Sequence, residues 1–504
     1  MISIKKFLII FTCIFFIIQP YLILGDSKTD IGEIKKLYLH GNFKEISDKY
    51  KDINLKKIDN DVLQIYLEAL IRNSEGVEAS ELLNTIKKKY GETVNTLLLE
   101  GMYALSKGDL VKVSTITNSL SKNDTGMIGV LQLLFFDELY RRNFNRAEIW
   151  LNKMEEHESG FGRSDLFFLL SSGFYNSVKN FKELSKLFKK RMKEIKKSRG
   201  KNYYKSLKLN YKLYKRRING TYFGVDSIED KIVIPFEIGK KDFLKSIILK
   251  IGNDKFKILI DTGNTSGWIL HSRKLREKLK YYRGGRTVMQ VGTESENLDG
   301  FNIFCKSVNF GNFKISELFG SYIPKPHKNF FDANLNPVAI SNRVVSFDFI
   351  NNSLVLRTYE RFFKEIEETS EMEVMKIPWY GYMYPMVPVL CNSKNGLAVI
   401  ETGAKNISVE KNFATNLGIS ISKRSKYLSN GKIFNYSLGA INVQLGKYLF
   451  VRRNAEIWPL KQFKNRLSGF SPHLIIGPEA LEGKFVVSFV PKNNIIVFEY
   501  EKKK

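Results

Sequence analysis

The sequence predicts a multidomain chain in which an all-α solenoid of helical hairpins precedes an all-β, two-lobed module. Three observations carry that expectation. A turn signature recurs about every 34 residues between 30 and 217. Apolar spacing switches from threes and fours to strand-like runs beyond 218. Two stretches of the C-terminal half also correspond to each other in order. At 504 residues the chain is longer than one core fills, and 43% apolar with 13% aromatic content excludes a disordered polymer.

The helical region spans 30–217. Its turns are Gly41-Asn42-Phe43, Glu75-Gly76-Val77, Gly108-Asp109-Leu110, Arg142-Asn143-Phe144 and Lys179-Asn180-Phe181. Their last residues lie 34, 33, 34 and 37 positions apart. Three residues beyond each comes Ile46, Ser80, Val113, Ala147 or Leu184, and six or seven beyond comes Tyr50, Leu83, Ile116, Trp150 or Leu187. Each unit therefore reads as helix, tight turn and second helix with an inward stripe. This resembles the tetratricopeptide family in five degenerate copies. The resemblance implies a curved solenoid able to bind a protein partner, and a plain helical spacer is the alternative.

Strands are expected from 228 to 360 and from 374 to 500, with a junction at 218–230. Ser246 to Ile251, a Gly252-Asn253 turn and Phe256 to Ile260 form a hairpin that runs straight into Asp261-Thr262-Gly263. A lone Asp-Thr-Gly is weak, but a second copy exists. Val387 to Leu390, a loop through Asn395-Gly396 and Leu397 to Ile400 lead into Glu401-Thr402-Gly403. Downstream the copies stay in step. Leu335-Asn336-Pro337 parallels Ile476-Gly477-Pro478, at 75 and 76 residues from the respective acids to Asn336 and Gly477. Val344-Val345-Ser346-Phe347 parallels Val486-Val487-Ser488-Phe489, and each then turns through paired asparagines into a last strand. The module is a tandem duplication with an acidic tripeptide heading each copy. Glu365 to Glu373 between the copies reads as a helical or extended connector. Phe347-Asp348 and Glu479 read as surface or capping residues.

This order of apolar strand, Asp-Thr-Gly, apolar-apolar-Gly segment, short helix and closing strand resembles the retropepsin-like aspartic proteases, fused as two lobes in one chain, over roughly 228–500. The resemblance implies an all-β bilobal fold whose catalytic acids, Asp261 and Glu401, meet at a shared cleft. Amide hydrolysis without a metal needs a base to activate water and an acid to protonate the leaving nitrogen; two carboxyls sharing one proton supply both. By the same resemblance Thr262 and Thr402 would lock the acidic loops together through their hydroxyls. Gly263 and Gly403 would allow close approach, with Gly477 and Asn336 supporting the loops from behind. Asn336 stands where a glycine is usual and is expected at positive φ, which Asn tolerates best. Glu401 for Asp and Asn264 for a small residue depart from the pattern. The Asn264 amide is expected either to bond the carboxylate or to fill space. Flap tips are sought at Gly284-Gly285 and Ser429-Asn430-Gly431. The function expected is aspartic endopeptidase; the alternative is a non-catalytic peptide- or protein-binding scaffold.

The N-terminus predicts destination. Lys5-Lys6, an apolar run from Phe7 to Ile18, Gln19-Pro20 and a small residue at Gly25 form a secretory signal over 1–25. An exported protein, periplasmic or extracellular, is expected, with an uncleaved membrane anchor as the alternative. Cys13 lies inside the apolar run, which argues against lipid attachment. Cys305 and Cys391 either pair or remain two buried thiols. The five histidines never reach metal-ligand spacing, so neither metal nor cofactor is expected. Net charge is +28, but no nucleic-acid module accompanies it, so no specific nucleic-acid partner is expected.

Overall fold

The structure is a computed structural model that describes residues 29–502, apart from 52–59, 74–75, 121–125, 159, 196–200, 217–222, 238–243, 292–295, 311–312, 325–330, 430–431, 461–462, 464 and 466. The signal expected over 1–25 lies outside the described residues. The chain divides into a helical unit, reaching to Val178 and including Phe463–Pro472, and a β-rich unit comprising Lys179–Gln462 and His473 onward. No helix among the described residues is long and apolar enough to cross a membrane.

The helical unit contains α1 (Thr29–Leu39), α2 (Phe43–Lys49), α3 (Asn60–Asn73), α4 (Gly76–Tyr90), α5 (Val94–Ser106), α6 (Leu110–Leu120), α7 (Ile128–Tyr140), α8 (Phe144–Glu156) and α9 (Asp165–Ser177). The turn triplets open the even-numbered helices. In three of these turns the same bond recurs: Asn42, Asp109 and Asn143 donate to the carbonyls of Leu37, Ala104 and Glu138 at 3.0, 3.0 and 2.8 Å. That bond spans five residues and requires one left-handed residue at the helix end. Gly41 and Gly108 supply it at φ 72° and 68°, and Arg142 supplies it at 61°. Helix α7 is buried on every side, with Phe135 edge-on to Phe174 at 5.7 Å.

A polar network sits inside this apolar packing. The fully buried Arg72 guanidinium donates to Gln132 at 2.8 Å and to Glu68 at 3.2 Å, while Tyr38 donates to Glu68 at 2.9 Å. Arg72 also donates to the Leu467 carbonyl. Tyr140 meets Ser468 hydroxyl to hydroxyl at 2.8 Å and packs on the Phe470 ring at 4.6 Å. The helical unit thus takes in a ten-residue segment from far along the chain.

The β-rich unit begins with α10 (Phe181–Ile195) and α11 (Lys201–Lys215). Helix α11, the last of the region read as helical repeats, packs on the sheet that follows: Asn210 accepts from Gly285 N at 2.8 Å and from Asn302 Nδ2 at 3.2 Å. An eight-stranded and a seven-stranded sheet follow, sharing one seven-strand order; the extra strand of the first, Gly224–Asp226, pairs on the side with Phe313–Tyr322. The first runs Ser246–Ile251, Asp254–Ile260, Ala333–Leu335, Trp268–Leu270, Phe313–Tyr322, Glu296–Phe310, Tyr281–Val291. The second runs Met386–Cys391, Lys394–Ile400, Leu474–Ile476, Ser408–Glu410, Tyr448–Trp458, Lys432–Leu445, Ile421–Ser429. Even the mixed pairings repeat. Asp254–Ile260 lies parallel to Ala333–Leu335, as Lys394–Ile400 does to Leu474–Ile476.

A six-stranded sheet joins the copies. At its centre Val344–Asp348 of the first copy pairs antiparallel with Phe485–Val490 of the second, Ser346 opposite Ser488 with 2.7 Å between hydroxyls. Equivalent residues facing each other place a local twofold between these serines. Phe347, expected at the surface, is instead fully buried, stacked on Phe349 at 6.0 Å and edge-on to Phe489 at 5.6 Å. Asp348 caps the following turn, accepting from Ile350 N and Asn351 N at 3.1 and 2.8 Å. The connector contains both a helix, Tyr359–Glu368, and a strand, Met372–Pro378. Cys305 and Cys391 are separate buried thiols, each pushed up to about 12 by burial.

Candidate active site

Two apolar strands, Asp254–Ile260 and Lys394–Ile400, end at the acidic tripeptides. Each acid is held by its backbone in the same way: Asp261 N donates to Leu335 O at 2.9 Å and Glu401 N donates to Ile476 O at 3.1 Å. The loops then cross. Thr262 N donates to the Thr402 hydroxyl at 3.1 Å, and Thr402 N donates to the Thr262 hydroxyl at 3.0 Å. The hydroxyls in turn donate to Ile400 O at 2.7 Å and Ile260 O at 2.8 Å. Both threonines are buried, so none of these groups has water as a substitute.

The interlock brings the carboxyls together. Gly263 N donates to Asp261 Oδ1 at 3.0 Å and Gly403 N donates to Glu401 Oε1 at 2.7 Å. A methyl group on Gly263 would lie 1.6 Å from Glu401 Oε2, and one on Gly403 would lie 2.8 Å from Asp261 Oδ1. Each glycine is thus the floor on which the opposite acid rests. Burial raises the affinity of both acids for a proton. For Asp261 this rise is opposed by hydrogen bonds from Glu401, Gly263, Asn334 and Asn264. For Glu401, pushed well above the usual carboxylate range, burial is reinforced by the Asp261 charge and only partly offset by Gly403 and Gly263. Two acids in these circumstances share a proton and titrate as a pair.

The supporting positions differ between copies. Asn336 has φ −93°, so the positive φ expected for it is not found. Its role is hydrogen bonding: its amide donates to Thr262 O at 3.3 Å and Asn264 O at 3.1 Å, and its carbonyl oxygen caps Val338 N at 3.0 Å. Gly477 also has negative φ, −89°. It is required for space, since a methyl there would sit 2.7 Å from the Lys405 carbonyl. The Asn264 amide bonds Asn334 O at 3.3 Å and accepts from Ser266 N at 3.0 Å, so it fills and braces the loop instead of bonding the carboxylate.

Sequence reasoning missed two residues. Asn334 Nδ2 donates to Asp261 Oδ2 at 3.1 Å. Its alignment with the apolar Ile475 of the second copy was the available signal. Tyr384, just ahead of the strand Met386–Cys391, has its phenol held neutral by burial and then by the charges of Glu401, Tyr382 and Asp261. Gly284-Gly285 forms a bulge within Tyr281–Val291, not a hairpin tip. The second flap candidate has its centre, 430–431, outside the described residues. No group of three or more His, Cys, Asp or Glu suited to a metal occurs among the described residues.

No protein-family model matches the sequence, and no curated protein matches it. Among solved structures, the chain is similar to a crystal structure of a retropepsin-like aspartic protease from Rickettsia conorii. The identity is 16% over 27% of this chain and 97% of that one, with a TM-score of 0.20.

Proposed function

We propose that this chain is an exported aspartic endopeptidase built from two tandem retropepsin-like lobes. A water between Asp261 and Glu401 attacks the peptide carbonyl of a peptide or protein substrate. The observation that carries the reading is the meeting of two acids from sequence-related loops over each other's glycine, tied by the threonine exchange. Two carboxyls this close hold one proton between them, so one oxygen takes the proton of the water while the other supplies a proton to the leaving nitrogen. The buried setting makes each transfer electrostatically stronger than it would be in water.

The helical repeats serve in this reading as a protein-binding unit. The N-terminal segment directs export and, if retained, anchors the chain to a membrane. The test is digestion of an unfolded protein by the chain from Asp26 onward between mildly acid and neutral pH. Wild type is expected to cut, and Asp261→Asn is expected to leave the substrate intact. Equal cutting by both would refute the assignment. A folded wild type that cuts nothing would support the non-catalytic scaffold, to which the longer Glu401 side chain points.

A further inference from the structure

The two halves of the acid pair are made by repeats of one sequence pattern, yet their surroundings are unequal. Asn334 and Ile475 occupy matching places: each is the middle residue of a three-residue strand lying parallel to the strand that carries the acid. Leu259 pairs with Asn334 and Val399 pairs with Ile475. Asn334 aims an amide N–H at Asp261 Oδ2, 3.1 Å away. Ile475 has no polar side-chain atom to offer Glu401. Asp261 therefore receives a donor on each oxygen, from Gly263 N at 3.0 Å and from Asn334. Glu401 receives one on Oε1, from Gly403 N at 2.7 Å; the Gly263 N–H also favours its charge but makes no full hydrogen bond to its buried Oε2.

Donors favour the charged form of a carboxyl, and burial without donors favours the neutral form. Glu401 is 3% exposed, whereas Asp261 is half-buried. The other titratable groups acting beside the pair are the Tyr384 and Tyr382 phenols. Tyr384 is held neutral by burial, so it does not reverse the difference. A protonated Oε2 would also remove the unpartnered acceptor, since its O–H can donate to Asp261.

From this the geometry points to a fixed division of labour: Asp261 is the ionised partner that takes the proton from water, Glu401 is the neutral partner that donates one, and Asn334 is the positioning residue that imposes the asymmetry. The inference rests on the proteolytic reading, but its test does not need turnover. An ionised carboxylate opens an epoxide, whereas a neutral carboxyl is esterified by a diazo compound. The folded chain would be treated near pH 5 with a phenoxy epoxide or, separately, with a diazo ketone and Cu(II). The modified residue would then be located by peptide mass spectrometry.

The expected result is epoxide on Asp261 and diazo ester on Glu401. Asn334→Leu keeps the side-chain shape without the donor, and Asn334→Ser restores a hydroxyl donor. Asn334→Leu is expected to slow epoxide labelling of Asp261 severalfold and spread it to Glu401. Asn334→Ser is expected to recover part of the wild-type pattern. In digestion, Asn334→Leu is expected to move the acid limb of kcat/KM upward by about one pH unit, the scale of one hydrogen bond to a charged group. Epoxide on Glu401 in wild type, or a pattern unchanged in Asn334→Leu, overturns the inference. Selective labelling in a chain that cuts nothing would retain the asymmetry and refute the protease reading. Digestion with symmetric labelling would do the reverse.

Discussion

Thr262 and Thr402 each hold the other's backbone: every N–H and hydroxyl of the pair is satisfied across the junction of the two copies, at 2.7–3.1 Å. The contact does not touch a reacting atom. It converts two separate loops into one rigid platform on which the acids are set.

Replacing either threonine by valine keeps its shape and removes its hydroxyl. Thr262→Val strands the Thr402 N–H and the Ile400 carbonyl in a dry interior, at about 1–3 kcal/mol for each group. Urea unfolding of a folded Thr262→Val chain is expected to show a loss of roughly 2–5 kcal/mol, with Thr262→Ser losing much less. A valine variant as stable as wild type would show that the exchange adds nothing.

Gly263→Ala separates stability from chemistry. The added methyl would meet the end of the Glu401 side chain at 1.6 Å, and that side chain can swing away. A small change in Tm is therefore expected, together with a fall in cleavage rate of about a hundredfold, since displacement of a catalytic group by about 1 Å costs that much. The paired measurements are a melting curve and a digestion rate on the same preparation.

The raised proton affinity of Glu401 has a definite sign in stability. A carboxyl whose folded pKa exceeds its unfolded value contributes stability that is complete below the unfolded value and lost as pH rises through the folded one. The ordinary value is 4.5, and burial is the main cause of the rise. Glu401→Gln is thus expected to melt higher than wild type at neutral pH, with the gap closing as pH falls below the ordinary value. Melting curves from pH 3.5 to 7.5 read this directly. Glu365 acts in the opposite direction. Burial would raise it, but its bonds to Arg357, Arg361 and Lys231 outweigh that and hold it down to about 2. Its contribution is therefore present above the ordinary 4.5 and drains as pH falls toward about 2.

In the helical unit, Tyr140→Phe removes the bond to Ser468. A cost of about 1 kcal/mol and faster amide exchange at Leu467 to Phe470 are expected. Arg72→Met leaves Glu68 buried without its cation, a change of roughly 3–5 kcal/mol. Exchange at 467–470 that stays as slow as in wild type would mean that other contacts hold the segment.

Much of the architecture was legible because it is encoded locally. The turn triplets mark real helix starts, since a left-handed residue followed by an apolar helix opener leaves a short-range trace. The duplication was legible as two ordered copies of one pattern. The capture of Phe463–Pro472 by the helices was not, because it pairs Leu467 with Arg72 across 395 positions. Helix α11 carries the same periodicity whichever neighbour it packs on, so its place against Gly285 could not be read from spacing. Asn336 misled because a polar residue at a glycine position suggested backbone freedom, while its amide was recruited for hydrogen bonds. Asn334 escaped notice for the same kind of reason: a polar residue in a short strand gains meaning only once the carboxylate beside it is placed.

The central claim is that Asp261 and Glu401 act as one catalytic pair, and the most direct measurement is a double-substitution cycle on digestion rate. Groups that work as a unit lose nearly everything when either is removed. The account predicts that Asp261→Asn, Glu401→Gln and the double variant cleave at the same residual rate. A Glu401→Gln variant that keeps most of the wild-type rate, or two losses that multiply as independent contributions, would contradict it.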